Sequence, residues 1–150
     1  MSLRVAIDEA QYLYVEMVHE DGGLTLSIVV HEAYSGGGTK HLPGLGDMKA
    51  TAIVADETTP KYLVQFASYV AYSVRDESYV SRDEAETWTG RFFRVYTHSK
   101  FLDYVEAATL ASDDYPGPLT HYELVTLNHI VDVVSIEEPE VKLIDHDQDV

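Results

Sequence analysis

The apolar, β-branched stretch 121–135 contains polar side chains that could perform acid–base or ligand-binding chemistry. His121 and Glu123 are two positions apart, so in a strand they share one face of the sheet. Folding could bring Asp132 or His98 close to them. Convergent imidazole, carboxyl and phenol groups are typical of a ligand pocket. The sequence therefore predicts a candidate pocket formed by four residues, which are His121, Tyr122, Glu123 and His129.

The segment 128–132 places three polar groups inside a strand that should be largely buried. Strand alternation puts His129 and Asp132 on opposite faces, so they converge only across a bend. One interpretation is that these are core residues satisfied by hydrogen bonds across the sheet, which is the commoner situation. The other interpretation is that they form the wall of a pocket.

Other residue patterns that could bind phosphate, form a catalytic triad or bind zinc do not have the spacing that these motifs require. Gly36-Gly37-Gly38-Thr39-Lys40 lacks the P-loop spacing, and His41 follows the lysine where Ser or Thr is required. Ser99 follows His98, but adjacent residues do not form a triad, and no Gly-x-Ser-x-Gly elbow occurs. The chain has no cysteine, and its seven histidines show no recurrent zinc spacing. We therefore predict no catalytic residue, no cofactor and no metal site.

Negative charge is concentrated at one end of the chain. After residue 100 there are twelve acidic side chains and one basic one, Lys142, so this third carries −11 of the total −16. Such a field repels nucleic acid and anionic lipid and speeds the encounter with a basic protein. Adaptation to a salty cytoplasm is the alternative, but it should spread acids over the whole surface.

We predict that this charge forms a contact surface on a helix and its exit loop. Eleven tyrosines add rigid amphipathic side chains of the kind that protein interfaces favour, although tyrosine is also an ordinary strand residue. The predicted contact residues are Asp103, Glu106, Asp113, Asp114 and Tyr115.

The pattern of elements predicts an α+β fold, mainly an antiparallel β-sheet that is either open or curled toward a barrel, with one main helix. Asp21-Gly22-Gly23 joins two alternating runs, 12–19 and 24–31, in a hairpin. Residues 61–75 fit both periods, and their Val and Tyr content favours strand. We also expect strands at 48–55, at 91–96 and past Pro139, and one bent or two short strands over 121–135. A flexible glycine loop is expected at 35–47. A capping box from Ser81 to Glu84 should start a short helix or turn, and Ser99 should cap a helix over 100–110.

Length and composition suit a single α+β domain spanning 1–150, with a short acidic tail at about 143–150. The hydrophobic content of 45% and the aromatic content of 11% argue against disorder. The N-terminus lacks the apolar core of a signal peptide, and no apolar run is long enough to span a bilayer. We expect a cytoplasmic protein that contacts neither nucleic acid nor membrane.

Four segments carry a resemblance. The chain resembles small uncharacterised bacterial proteins in these segments, which are Val74-Arg75-Asp76-Glu77-Ser78-Tyr79, Lys100-Phe101-Leu102-Asp103-Tyr104-Val105, Tyr115-Pro116-Gly117-Pro118 and Asn128-His129-Ile130-Val131-Asp132-Val133. The resemblance covers residues 62–139 and implies a bacterial cytosolic single domain. It carries over no functional residue. Some compact acidic proteins of this type neutralise toxins, which is an analogy of size and charge.

Two functions follow as hypotheses. The first is a non-enzymatic, acidic protein-binding module that inhibits a basic partner in the manner of an immunity protein or antitoxin. The second is a small-molecule-binding or hydrolytic domain, with its His/Glu/Tyr pocket beneath the glycine loop.

Overall fold

The computed structural model describes residues 1–41, 49–81 and 83–148. Within these ranges the chain forms two α-helices, ten β-strands and one turn of 3₁₀-helix at Glu77–Tyr79. The helices are α1 (Leu3–Glu9) and α2 (Lys100–Ala108). The strands are β1 (Tyr12–Glu20), β2 (Leu26–His41), β3 (Lys49–Val54), β4 (Lys61–Phe66), β5 (Tyr69–Asp76), β6 (Thr87–Thr89), β7 (Phe93–His98), β8 (Thr120–Val125), β9 (His129–Ser135) and β10 (Glu140–Ile144).

The strands form two separate five-stranded antiparallel sheets. The first sheet has the order β1-β2-β4-β10, and β3 pairs with the far end of β2. The second sheet has the order β5-β9-β8-β7-β6. The α+β class and the main helix are confirmed. Among the described residues the strands do not close into a barrel.

The core lies between the two sheets. Alternating side chains of both sheets form one buried cluster, in which the rings of Phe66 and Tyr122 meet at 5.5 Å across the interface. Ile7 of α1 joins this cluster. The inner faces of both sheets carry these core side chains. Because side chains alternate between the two faces of a strand, the polar residues next to core residues point to the outer faces.

Most of the expected elements are present. The hairpin is formed by β1 and β2, residues 61–75 are strand in two pieces, and residues 121–135 form two short strands. The helix α2 begins after Ser99, whose Oγ accepts the backbone N–H of Leu102.

One local prediction was wrong, and a second was correct only in part. Residues 35–41 continue β2 and pair with β3 through an irregular register, so they are strand and not loop, while 42–47 lie outside the described residues. Of the predicted short helix or turn after Ser81, the turn is formed, by Glu84 and Ala85, and Asp83 Oδ1 accepts the Ala85 N–H at 2.9 Å. The Asp83 cap closes this turn in place of the predicted capping box, and the chain then enters β6.

Candidate functional site

The outer face of the second sheet holds an unusual set of polar residues. On β8, Tyr122 and Leu124 point into the core, so His121 and Glu123 point to the opposite face. Cross-strand register then places Asp132 beside Glu123 on one side and Arg94 beside it on the other. This register, not the linear sequence, assembles the cluster.

Two carboxylates and two guanidinium groups meet at its centre. Arg75 on β5 places Nη2 2.9 Å from Asp132 Oδ2 and 3.3 Å from Glu123 Oε2. Arg94 Nη1 lies 3.6 Å from Glu123 Oε1, and the Tyr96 hydroxyl donates to the same oxygen at 2.8 Å. We call Arg75, Arg94, Tyr96, Glu123 and Asp132 the carboxylate cluster.

His121 links this cluster to helix α2. Its Nε2 lies 2.7 Å from Asp132 Oδ1, and its Nδ1 lies 2.7 Å from the Oγ of Ser99. The imidazole is stacked on Tyr96 at 4.5 Å and is covered by Phe101 of α2 at 5.2 Å. Ser, His and Asp thus stand in the order of a hydrolase triad. However, Ser99 is only 1% exposed and its Oγ also caps α2, so this hydroxyl is not accessible to a substrate.

The two carboxyl groups have pKa values pushed in opposite directions. Burial, together with the hydrogen bond and the negative charge of Asp132, raises the pKa of Glu123 to about 8. Burial would also raise the pKa of Asp132, but the hydrogen bonds of His121 and Glu123 and the charges of His121 and Arg75 outweigh it, so the pKa of Asp132 falls below its ordinary value. The carboxyl group of Glu123 therefore ionises at a higher pH than an ordinary glutamate, whereas Asp132 keeps its negative charge to a lower pH than an ordinary aspartate.

A cleft of about 670 Å³ opens directly over Glu123. We call it the outer cleft. Its floor is part of the carboxylate cluster, and its rim is formed by the residues of the segments 77–81 and 83–86 that face the cleft, together with Trp88 of β6. The lining residues are Arg75, Glu77, Val80, Ser81, Asp83, Glu84, Glu86, Trp88, Arg94, Tyr96, Glu123, Val125 and Ile130. A cleft of this size with a few convergent polar groups matches small-molecule sites in general.

Three potential metal ligands also converge here. One donor atom each of His121, Glu123 and Asp132 lies within 4.8 Å of the others. The positive charge that such a set requires is already provided by Arg75, which contacts both carboxylates. A metal ion would have to compete with this guanidinium for both carboxylates, so the donor set fits a metal poorly.

The structure separates the predicted pocket residues. His121 and Glu123 share the outer face and belong to the site. Tyr122 points into the core between the sheets, where it contacts Phe93 and Phe66. His129 begins β9 opposite Asp76 and does not line the outer cleft. Residues 35–41 of the predicted glycine loop belong to the first sheet, and residues of the segments 77–81 and 83–86 border the cleft instead.

The predicted contact residues are all exposed. Asp103 and Glu106 lie on α2, and Asp113, Asp114 and Tyr115 lie in its exit loop. Tyr115 is 74% exposed, and Leu110, between the two groups of acids, is 93% exposed. The acidic tail predicted from residue 143 begins later, because Leu143 and Ile144 belong to β10.

Sequence reasoning missed Arg75, Arg94, Tyr96 and Ser99 as neighbours of His121 and Glu123. The sequence signals that pointed to this site were the i, i+2 spacing of His121 and Glu123 on β8 and the expected approach of Asp132. The arginines alternate with apolar residues on β5 and β7, which is a signal of an outer face but not of a shared site.

In the described part of the chain, neither helix has the length and apolar character needed to cross a membrane. Comparison with protein-family models, with curated proteins and with solved structures found no match. The function must therefore be argued from the geometry of the site itself.

Proposed function

We propose that this protein is a binding domain that holds a small polar molecule, without covalent chemistry, in the outer cleft. One observation carries the proposal: the carboxyl group of Glu123, a residue only 5% exposed, forms the floor of a cleft of about 670 Å³. A buried carboxyl group whose pKa is far from its ordinary value, placed in a cleft, is a recognised sign of a functional site.

A purely structural role accounts less well for this arrangement. Buried ion pairs stabilise proteins weakly, and apolar residues of similar volume often serve as well. Helix α2 covers the His121 end of the outer face, yet the Glu123 end stays open to the cleft. Trp88 and Val80, at the mouth of the cleft, are each more than 40% exposed and offer apolar surface to a ligand. The open end therefore supports ligand binding.

A fragment screen by protein-detected NMR tests the proposal. We expect fragments to shift the backbone signals of β7, β8 and the 77–86 segment, and Glu123→Gln to change the set of fragments that bind. Glu9→Gln is the matched control, because Glu9 is exposed on α1 and the substitution makes the same chemical change. The proposal is wrong if no fragment shifts these signals, or if both variants bind the same set with the same affinity.

A second candidate function is binding of a basic protein by the acidic surface of α2 and its exit loop. The observation that favours it is the exposure of Tyr104, Leu110 and Tyr115 beside four exposed acids. Exposed aromatic anchors next to charge suit an interface core with a steering rim. The inhibitor hypothesis depends on this surface.

Affinity capture at low salt tests this second function. The wild-type chain should retain one basic protein in near-stoichiometric amount and release it in a salt gradient. A variant carrying Asp103→Asn, Glu106→Gln, Asp113→Asn and Asp114→Asn should associate with that protein more slowly and with a flatter salt dependence. An unchanged association rate and salt slope would exclude this surface as the contact.

A further inference from the structure

The charged groups at the floor of the outer cleft are paired with one another. Arg75 contacts both Asp132 and Glu123, and Arg94 lies 3.6 Å from Glu123. The Tyr96 hydroxyl donates a hydrogen bond to Glu123 as well. Both carboxyl groups are thus matched by a guanidinium group. A ligand with a full charge of either sign would have to compete with one of these pairs, so the floor favours an uncharged polar head.

A ligand in the cleft meets the two arginines before it meets the carboxyl groups. The side chains of Arg75 and Arg94 are 49% and 27% exposed, whereas that of Glu123 is 6% exposed. Guanidinium groups donate hydrogen bonds and accept none. Both hydrogen bonds that Arg75 makes among the described residues come from Nη2, so its other N–H groups can donate to a ligand. The polar head of the ligand must therefore be a hydrogen-bond acceptor.

The wall beside these donors is apolar and partly aromatic. Trp88 and Val80 are each more than 40% exposed at the mouth of the cleft, and Val125 and Ile130 also line it. The Arg94 guanidinium lies over the Trp88 ring, 4.6 Å from its centroid. A planar ring that packs beside Trp88 can therefore direct an acceptor to Arg94. Aromatic pairs also gain energy beyond the area that they bury.

We infer that the ligand of the outer cleft is an uncharged aromatic compound with a carbonyl acceptor, such as an aromatic amide or lactam. Its ring packs against Trp88 and Val80, and its carbonyl oxygen accepts hydrogen bonds from Arg75 and Arg94. This inference rests on the proposed function, because it assigns the chemical class of the ligand for the same site.

An anionic head is the nearest alternative, since a carboxylate also accepts hydrogen bonds from guanidinium groups. Two features argue against it. Each arginine already contacts the carboxyl group of Glu123, which lowers what a second anion can gain. The chain also carries a net charge of −16, and such a field repels anions before they reach the cleft.

Four compounds of similar size separate these alternatives: benzamide, cyclohexanecarboxamide, benzoate and benzamidine. Benzamide has both the aromatic ring and the uncharged carbonyl, and each of the others changes one of these features. We expect benzamide to bind at least about 10-fold more tightly than benzoate or benzamidine and about 3-fold more tightly than cyclohexanecarboxamide. Protein-detected NMR titrations provide the affinities. The indole N–H signal of Trp88, the single tryptophan of the chain, reports on the cleft directly.

Two substitutions test the contacts, and the backbone spectrum of each variant checks that it is folded. Arg75→Lys keeps the positive charge but removes the planar fork of donors, so the benzamide affinity should fall about 10-fold. Trp88→Leu keeps an apolar wall without a ring, so the advantage of benzamide over cyclohexanecarboxamide should disappear. Arg91→Lys and Tyr104→Leu are the matched controls, because both residues are exposed and neither lines the cleft, and they should leave every affinity unchanged.

Tightest binding of benzoate or of benzamidine would overturn the uncharged head. Equal binding of benzamide and cyclohexanecarboxamide would overturn the aromatic ring, and an unchanged benzamide affinity in Arg75→Lys would overturn the arginine contact. If none of the compounds binds at about 10 mM, the inferred ligand class is wrong. The wider fragment screen decides the proposed function separately, because fragments of other chemistry can still bind in the cleft.

Discussion

Two buried histidines, one in each sheet, have nearly the same immediate partners. His31 lies on β2 with Nδ1 2.7 Å from Glu16 Oε1 and Nε2 2.9 Å from the hydroxyl of Thr59. His121 lies on β8, 2.7 Å from a carboxylate oxygen of Asp132 and 2.7 Å from the hydroxyl of Ser99. Each imidazole is therefore held between a carboxylate and a hydroxyl.

The two regions differ in what surrounds the carboxylate. Glu16 is one acid with one dedicated cation, Lys61, at 2.9 Å, and its side chain is 37% exposed to solvent. Asp132 is buried and shares Arg75 with a second acid, Glu123, which faces the outer cleft. His31 thus belongs to a cluster in which one acid has one cation and which ties β1, β2 and β4 together. His121 belongs to a cluster in which two acids share Arg75 beneath an open cleft.

The comparison shows that a histidine–carboxylate pair is not by itself a sign of function. Burial and access to a ligand decide. Glu16 is part of an ion pair that holds three strands together. Glu123 is buried beneath a cleft with a raised pKa, which places it to meet a ligand.

The largest effect should come from Asp132→Asn. The substitution removes the charge that holds Arg75 and weakens the contact with His121 inside a buried site, so we expect a loss of about 3 kcal/mol in the free energy of unfolding. Urea denaturation measures it. Asp103→Asn is the control on exposed α2 and should change stability by less than about 0.5 kcal/mol. A loss below about 1 kcal/mol for Asp132→Asn would mean that the cluster contributes little to stability.

The second prediction concerns the pH dependence of stability. In the folded state the pKa of Glu123 is about 8, above its ordinary value of 4.5, so the folded protein binds more protons than the unfolded chain between these values. The stabilisation is complete below about pH 4.5 and is lost as the pH rises through about 8. The wild type should therefore lose about 2 kcal/mol relative to Glu123→Gln between about pH 6 and pH 8.

Denaturation curves of both proteins across this pH range provide the measurement. Glu9→Gln should follow the wild type at every pH, because Glu9 is exposed on α1. Parallel pH profiles for the wild type and Glu123→Gln would contradict the prediction, because they would show that Glu123 is ionised throughout the range and that its pKa is not raised.

Ser99→Ala should have a smaller effect. The hydroxyl caps α2 through the Leu102 N–H and contacts His121 Nδ1, so its removal leaves two polar groups without this partner. Loss of such a cap typically lowers stability by about 1 kcal/mol, and the buried imidazole makes about 1.5 kcal/mol the expected total. Ser99→Thr keeps the hydroxyl and should restore most of the difference. Equal destabilisation by both variants would indicate a steric cause instead of a lost hydrogen bond.

Local signals in the sequence were sufficient for much of the fold. Asp21-Gly22-Gly23 between alternating runs predicted the hairpin, and Ser99 predicted the start of α2. Each of these features depends on residues within a few positions of one another. The strand through residues 35–41 was missed because pairing with β3 overrides the weak strand propensity of its glycines.

The site was predicted only in part because it depends on register. The i, i+2 spacing correctly places His121 and Glu123 on one face. That Arg75 and Asp132 join them follows from how β5, β9 and β8 are aligned, which no local pattern specifies. The pKa of Glu123 then follows from its burial beside Asp132, a property of the assembled face alone.

The smallest effect should come from Glu16→Gln in the cluster that holds His31. Burial opposes ionisation of Glu16, but hydrogen bonds from Lys61 and His31 outweigh it and lower the pKa of this carboxyl group. Its stabilisation is therefore present above about pH 4.5 and is lost as the pH falls further, the reverse of Glu123. Because the side chain is 37% exposed, Glu16→Gln should lower stability by less than about 1 kcal/mol at neutral pH, measured by urea denaturation. A loss as large as that of Asp132→Asn would refute the distinction between the two clusters, because the exposed acid would then matter as much as the buried one.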